Sequence, residues 1–446
     1  MSSMSHRKIL GVRKQANSVC RLRLSRGSLL PRTKKNLRST KKTISNLVLA
    51  AVIISLILCA PPLHAERKYT LGHSLDFLAG ASDESGQVGP DLTTLNPGLH
   101  TFYSVYPSID LSSEGQHSTY DLHYSFVGER FNLDPALTTT SHSFTGNFAA
   151  QMGRRTHIKL SDTFNTVPDY SLLNVLRGTV PGDQFRYIFE PQLYKRTQLS
   201  NSAGIGLDID LTEKSYITFE GAGAFRFYEE DAENALLSDQ TRSEGSFSFS
   251  HRQSPRLSWS LKYTFLQNDY EVFATSRTHS AKLILSGSLS PTWELGLEAG
   301  PSFTERRESV KEYVSYIANL DLTRQLRTNR FSVRYSHNAA DSTGLGSSTE
   351  SHQGIVDFEQ MLGRKALLNF QALAFNQDQR ESNLYDYWGA QGSIALTRQF
   401  GRYLDISIGA SYMTYIGGTG LYEDYSSKRF YAGIGYRIPE LWQVER

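Results

Sequence analysis

The sequence predicts an all-β chain, a transmembrane antiparallel barrel of about 18 strands, with 16 as the next choice. Three observations predict it: apolar and polar residues alternate with period two, short turns recur at near-constant spacing, and each pair of strand-like segments is followed by a longer polar stretch. The alternation is plain in TWELGLEAG. Trp293, Leu295, Leu297 and Ala299 face one way, and Glu294, Gly296, Glu298 and Gly300 the other, because successive side chains of a strand point to opposite faces. The same split separates Trp259, Leu261, Tyr263 and Phe265 from Ser258, Ser260, Lys262 and Thr264. It separates Leu404, Ile406, Ile408 and Ala410 from Asp405, Ser407 and Gly409.

Alternation alone also fits a soluble sandwich, so length and spacing decide. Turns fall near residues 114 (SSEGQ), 153 (QMGRR), 213 (LTEKS), 255 (QSPRL), 291 (LSPTW), 327 (QLRTN), 363 (MLGRK) and 401 (QFGRY), at separations of 39, 60, 42, 36, 36, 36 and 38. Each interval holds two segments of about 10 to 14 residues, long enough to cross a bilayer at a tilt, whereas soluble strands usually stop at about five or six. Eight turns account for sixteen strands. One more at each end, near Tyr69 to Gly80 and Lys428 to Ile438, makes 18 with both termini on the periplasmic side. Closure supplies the physical reason: an unpaired peptide group in hydrocarbon costs several kcal/mol, so a spanning sheet must have no edge.

The elements follow in chain order. Residues 1 to 45 carry 13 Lys or Arg and no acid, and an apolar run from Leu47 to Ala60 leads to Leu63-His64-Ala65. A basic region, a short apolar run and a small-residue exit describe a secretory signal over residues 1–65, with cleavage expected after Ala65. The run is too short for a spanning helix. Of the 47 basic residues, 34 remain in 66–446 against 44 acids, a net of −10, so the charge does not suit a nucleic-acid partner. The two cysteines, Cys20 and Cys59, both precede that region, which excludes a disulfide framework in it. Residues 66–446 are the expected barrel. Within them, the stretch from Val167 to Lys195 exceeds a normal loop and is the candidate plug or constriction.

Aromatic residues gather where segments meet loops, among them Tyr103 and Tyr106, Tyr124 and Phe126, and Phe225 and Phe227, as rings seated at headgroup level would. Alternation sends Asp208, Asp210, Glu220, Glu294, Glu298, Asp321 and Asp405 to the polar face, with Lys159, Arg226, Lys262, Arg334 and Arg437. A wall of mixed charge lines water or pairs across strands, and a barrel of 16 to 18 strands is too wide for side chains alone to fill. Of these, Asp208, Asp210, Glu220, Lys262, Glu294, Glu298, Arg334 and Asp405 are the candidates for setting selectivity.

No catalytic set stands out, and an enzyme is not expected. His337 near Asp341, and Ser351-His352, read as surface polarity in or beside a loop. The acidic run with Glu229, Glu230, Asp231 and Glu233 lacks the spacing of a calcium loop and reads as solvated, so neither a metal nor a cofactor is expected.

The final strand carries a resemblance. KRFYAGIGYRI is similar to the assembly signal in the last strand of bacterial outer-membrane barrels, here with Tyr431, Gly433, Tyr436 and Ile438, although PELWQVER continues for eight residues beyond it. The resemblance to outer-membrane, porin-like barrels covers residues 66 to 446. More loosely, the chain is similar to porin-like barrel proteins that accompany exopolysaccharide or protein-sorting systems. It implies the outer membrane as location, outer-membrane lipid, lipopolysaccharide and the barrel-assembly machinery as partners, and passage of hydrophilic solutes or a saccharide chain. A closed barrel serving as anchor or adhesin is the alternative.

Overall fold

A computed structural model describes residues 67–85, 87–88, 93–94, 98–132, 139–168, 197–228, 239–271, 275–306, 312–341, 348–379, 387–417 and 425–445. The signal segment, residues 169–196 of the long insert and the acidic run at 229–233 lie outside them. The strands are β1 (Arg67–Ser85), β2 (Gln87–Val88), β3 (Thr93–Thr94), β4 (Gly98–Gly115), β5 (Ser118–Phe131), β6 (Thr139–Gln151) and β7 (Thr156–Pro168). They continue as β8 (Thr197–Asp210), β9 (Ser215–Tyr228), β10 (Gln240–Ser254), β11 (Leu257–Tyr270), β12 (Ser276–Ser290) and β13 (Trp293–Arg306). The last are β14 (Tyr313–Gln325), β15 (Asn329–Asp341), β16 (Ser348–Leu362), β17 (Ala366–Gln379), β18 (Tyr387–Phe400), β19 (Leu404–Gly417) and β20 (Tyr425–Glu445).

Apart from β2 and β3, which pair with each other, these form one sheet of 18 antiparallel strands in which chain neighbours lie side by side. β1 pairs with both β4 and β20, so the sheet closes. All eight short turns are where the spacing put them. Two to four residues link the strands at that rim. In three of them the recurring Gly-Arg or Gly-Arg-Lys sequence has a geometric cause: Gly153, Gly363 and Gly401 take φ of 90°, 78° and 70°, the left-handed region that side chains with a Cβ disfavour.

The terminal strands are longer than the sequence suggests. β1 covers Arg67–Ser85, and β20 runs on to Glu445, past Pro439 and the hydrophobic pattern. Their shared ladder joins Lys68↔Glu445 to Ser85↔Ser426 with one register shift at Leu71/His73, so residues beyond Ile438 extend the closing seam.

The side chains show which face is inside. Glu129 of β5 and Arg429 of β20 have β1 and β4 between them, a separation of roughly 14 Å along the wall at about 4.8 Å per strand. Arg429 Nη1 nevertheless lies 3.2 Å from Glu129 Oε1. Side chains converge that way only on the concave face, which is therefore the polar one. The opposite face carries Leu261, Leu283, Ile408, Phe430 and Ile434, all well exposed. An apolar exterior over a closed sheet is what a bilayer requires.

Two sequence readings change. Tyr106 is not part of an aromatic belt: it pairs with inward Asp76 and is 5% exposed. His337 and His352 are in β15 and β16, opposite each other on the outward face, not in a loop. Asp341 is the last residue of β15.

Candidate functional site

The sequence-derived candidates on the inner wall stand at two heights. The ascending strands β9, β11, β13, β15 and β17 begin at Ser215, Leu257, Trp293, Asn329 and Ala366. Five residues into each stand Glu220, Lys262, Glu298, Arg334 and Gln371. With about 3.3 Å per residue and a tilt near 45°, this row lies roughly 12 Å above the short-turn rim. The repeat of the hairpins thus becomes a belt of alternating sign.

The descending strands complete the belt. Lys262 Nζ lies 2.6 Å from Glu220 Oε2, reaching over β10, whose Ser246 hydroxyl donates to the same oxygen at 2.8 Å. Lys282 of β12 sits 2.6 Å from Glu298 Oε1. Arg334 donates to Asp357 of β16, which also accepts from Gln371 at 2.7 Å and from Ser332 at 3.2 Å. Lys262 and Lys282 are register partners, a destabilising like-charge pair. Each turns away to its own carboxylate. The pairs run along the wall instead of across the lumen, and Lys262, Lys282 and Arg334 keep about a fifth of their side-chain surface exposed.

The remaining candidates form a lower ring. Asp208 and Asp210 end β8, and Glu294 and Asp405 are the second residues of β13 and β19. Asp208 is held by Lys159 at 2.7 Å and by the Thr218 hydroxyl at 2.7 Å, and Asp210 lies 3.6 Å from His157 Nε2. Glu294 is exposed. Asp321 faces Arg334 in register and accepts from Thr323 at 3.0 Å. At and just above belt height, Gly204, Gly206 and Ala222 floor a recess of about 380 Å³ in the inner wall, with Asp121 at one end and Glu220 and Glu244 at the other.

The other arc of the wall, from β18 through β20 and β1 to β5, is built differently. The belt position of β19 is Gly409, and a Cβ there would strike the Tyr431 ring. Phe102 lies over Gly80 in the same way. Above them the Arg429 guanidinium is 5.6 Å from the centroids of both Phe102 and Phe131, while Ser104 donates to Glu129 at 3.1 Å. Arg429 and Glu129 are 4% and 5% exposed. Of the assembly-signal residues, Tyr431 and Gly433 share the inward face with Arg429, and Tyr436 the outward face with Ile434. Ile438 pairs with His73 near the short-turn rim.

Sequence reasoning placed the belt acids and bases on one face but missed Lys282, Asp357 and Gln371, which complete it. The spacing from each short turn was the available signal. Glu129 and Arg429 had none: 300 residues separate them.

No protein-family model matches the chain, and no curated protein does. Among solved structures it is similar to OccAB4 of Acinetobacter baumannii, at 10% identity over 85% of this chain and 100% of that one, with a TM-score of 0.44. It is also similar to OccK5 (OpdH) of Pseudomonas aeruginosa, at 12% identity over 83% and 98%, TM-score 0.45. A third is OpdK of the same organism, solved with vanillate, at 8% identity over 82% and 99%, TM-score 0.45. At such identity no residue role passes from those proteins to this one.

Proposed function

We propose that the protein is a passive channel for small hydrophilic solutes in a bacterial outer membrane, with the belt as its selectivity element. One observation carries this reading: the belt charges of both signs pair along the wall instead of across the lumen. An 18-stranded wall is about 30 Å across between backbones, and side chains reaching about 6 Å inward from each side leave room for a passage among the described residues. Charges held in place at one height act on a passing solute through their field, attracting one sign at each step and repelling the other. The Asp121 to Glu220 recess adds donors and acceptors beside that path. A saccharide chain, the larger cargo that the sequence resemblance suggests, would meet the same wall. Planar-bilayer recording tests the reading: steady conductance is expected from folded protein, and substitutions in the belt should alter ion selectivity. Silence from correctly folded protein would favour the anchor or adhesin. A size series of neutral oligosaccharides, read as block of the current, separates small solutes from a chain.

A further inference from the structure

Residues 66–446 are acidic overall, with 34 bases against 44 acids, yet the eight short turns run the other way. Between their strands these turns hold eight Lys or Arg and one acid, Glu213. All eight bases are exposed, and among the described residues none has an ion-pair partner. The recurring Gly-Arg sequence is therefore only half explained by backbone geometry. Gly153, Gly363 and Gly401 are required by their positive φ, but Arg154, Arg364 and Arg402 after them have no acid to meet.

The bases gather on three consecutive turns. Arg327 lies between β14 and β15, Arg364 and Lys365 between β16 and β17, and Arg402 between β18 and β19, joined by Arg324 near the end of β14 and Arg398 near the end of β18. By contrast, the β4–β5 and β12–β13 turns, Gln116-His117 and Pro291-Thr292, carry no Lys or Arg. Neighbouring short turns are two strands apart, roughly 14 Å along the rim at a tilt near 45°. Six bases thus share roughly 30 Å of rim.

The excess lies on the lipid side of the wall. Arg324 is the register partner of Trp293 and Arg398 of Ile406, both on the outward face. The Arg324 guanidinium carbon is 5.4 Å from the Trp293 ring centroid, and that of Arg398 is 5.2 Å from the Phe400 centroid. Phe400 and Ile406 are well exposed. The two stems therefore lie on the edge of the apolar band, with their charged heads where headgroups begin. On the inner side of the same rim charge is matched or negative. Asp208 meets Lys159 at 2.7 Å, Asp210 lies 3.6 Å from His157, Arg330 faces Glu359 in register, and Glu294 and Asp405 add two more acids. An anion entering the lumen would meet those carboxylates, so the bare bases suit an anion outside it.

We propose that the β14–β19 stretch of the short-turn rim binds the headgroups of anionic phospholipid in the leaflet beside it. Each guanidinium can donate two N–H groups to the oxygens of one phosphate, and Lys365 adds a point charge. A zwitterionic headgroup brings its own cation, which the bases repel, so the rim selects lipid of net negative charge. The attraction accumulates over bases close to the membrane surface and fades beyond a screening length of about 8 Å at 0.15 M salt. It needs only the barrel in its membrane and stands apart from the channel reading.

Native mass spectrometry of the folded barrel in non-ionic detergent tests this, with equimolar phosphatidylglycerol and phosphatidylcholine competing for the protein. Folded content is checked by electrophoretic mobility before and after heating. The expected result is retention of phosphatidylglycerol over phosphatidylcholine by roughly tenfold or more. Replacing the six bases together (Arg324→Gln, Arg327→Gln, Arg364→Gln, Lys365→Gln, Arg398→Gln and Arg402→Gln) should bring the two lipids within about twofold of each other. Arg154→Gln with Arg155→Gln, on the β6–β7 turn, should keep most of the preference. Equal retention by the unaltered protein, a preference that survives the six substitutions, or one lost through Arg154 and Arg155 instead, overturns the proposal. So does displacement of phosphatidylglycerol by inorganic phosphate at matched concentration, which would mean that the rim reads a free anion and not a lipid.

Discussion

The charged arc from β9 to β17 and the seam arc from β18 to β5 line the same lumen, yet they handle charge in opposite ways. In the first, Lys262, Lys282 and Arg334 lie along the wall with water on one side. In the second, Arg429 and Glu129 are enclosed among Phe102, Phe131 and Ser104. The difference teaches that the same residue types stay open to solvent in one arc and hold the closing seam together in the other. A wet pair contributes little to stability because solvent screens it. A dry one, once broken, leaves a charge stranded where ions are poorly solvated.

The largest effect should come from breaking the dry pair. Arg429→Met is expected to cost about 3–5 kcal/mol, read as a lower temperature for heat-induced loss of the folded barrel, whereas adding Glu129→Leu should recover most of it. A double variant as unstable as the single one would mean that the pair itself, and not the stranded carboxylate, holds the seam. Next comes Gly409→Ala, which forces a Cβ against the Tyr431 ring and should cost about 1–3 kcal/mol on the same measurement. Gly363→Ala follows, since φ of 78° carries a penalty of about 1–2 kcal/mol for a residue with a Cβ.

Belt substitutions should reverse this ordering. Lys262→Glu would put two carboxylates, at 220 and 262, where an ion pair stood, shifting the reversal potential toward cations in a salt gradient. Its stability change should stay within about 1 kcal/mol, because the site is open to water. The smallest effect belongs to Arg334→Gln: a milder shift of the same sign that fades as salt rises and the screening length falls from about 10 Å at 0.1 M to about 3 Å at 1 M. If Lys262→Glu unfolded the barrel while Arg429→Met left it intact, the contrast between the arcs would be wrong.

Most of the belt was legible in the sequence because it is local. Glu220, Lys262, Glu298 and Arg334 each follow a recognisable turn by a fixed interval, and parity puts them on the polar face. Their partners were harder to see. Lys282 and Asp357 lie on descending strands, whose register depends on where the preceding turn ends. The seam was illegible for a different reason: Phe102, Glu129 and Arg429 meet only because β1 joins β20, and nothing near any one of them in the chain points to the others. The early end of the β14–β15 ladder at Ala318↔His337 could not be read either, since these strands alternate as cleanly as their neighbours and parity does not show where a ladder stops.

By itself, then, the sequence determined that alternating strands of spanning length, joined by short turns at regular intervals, form a cylinder with an apolar outside. Period-two alternation and turn chemistry act between neighbours in the chain, so they are written there. Only the tertiary structure decided which charges pair, where the wall closes and where a ladder ends early. Those outcomes depend on distances between residues far apart in sequence, and closure of the sheet sets them.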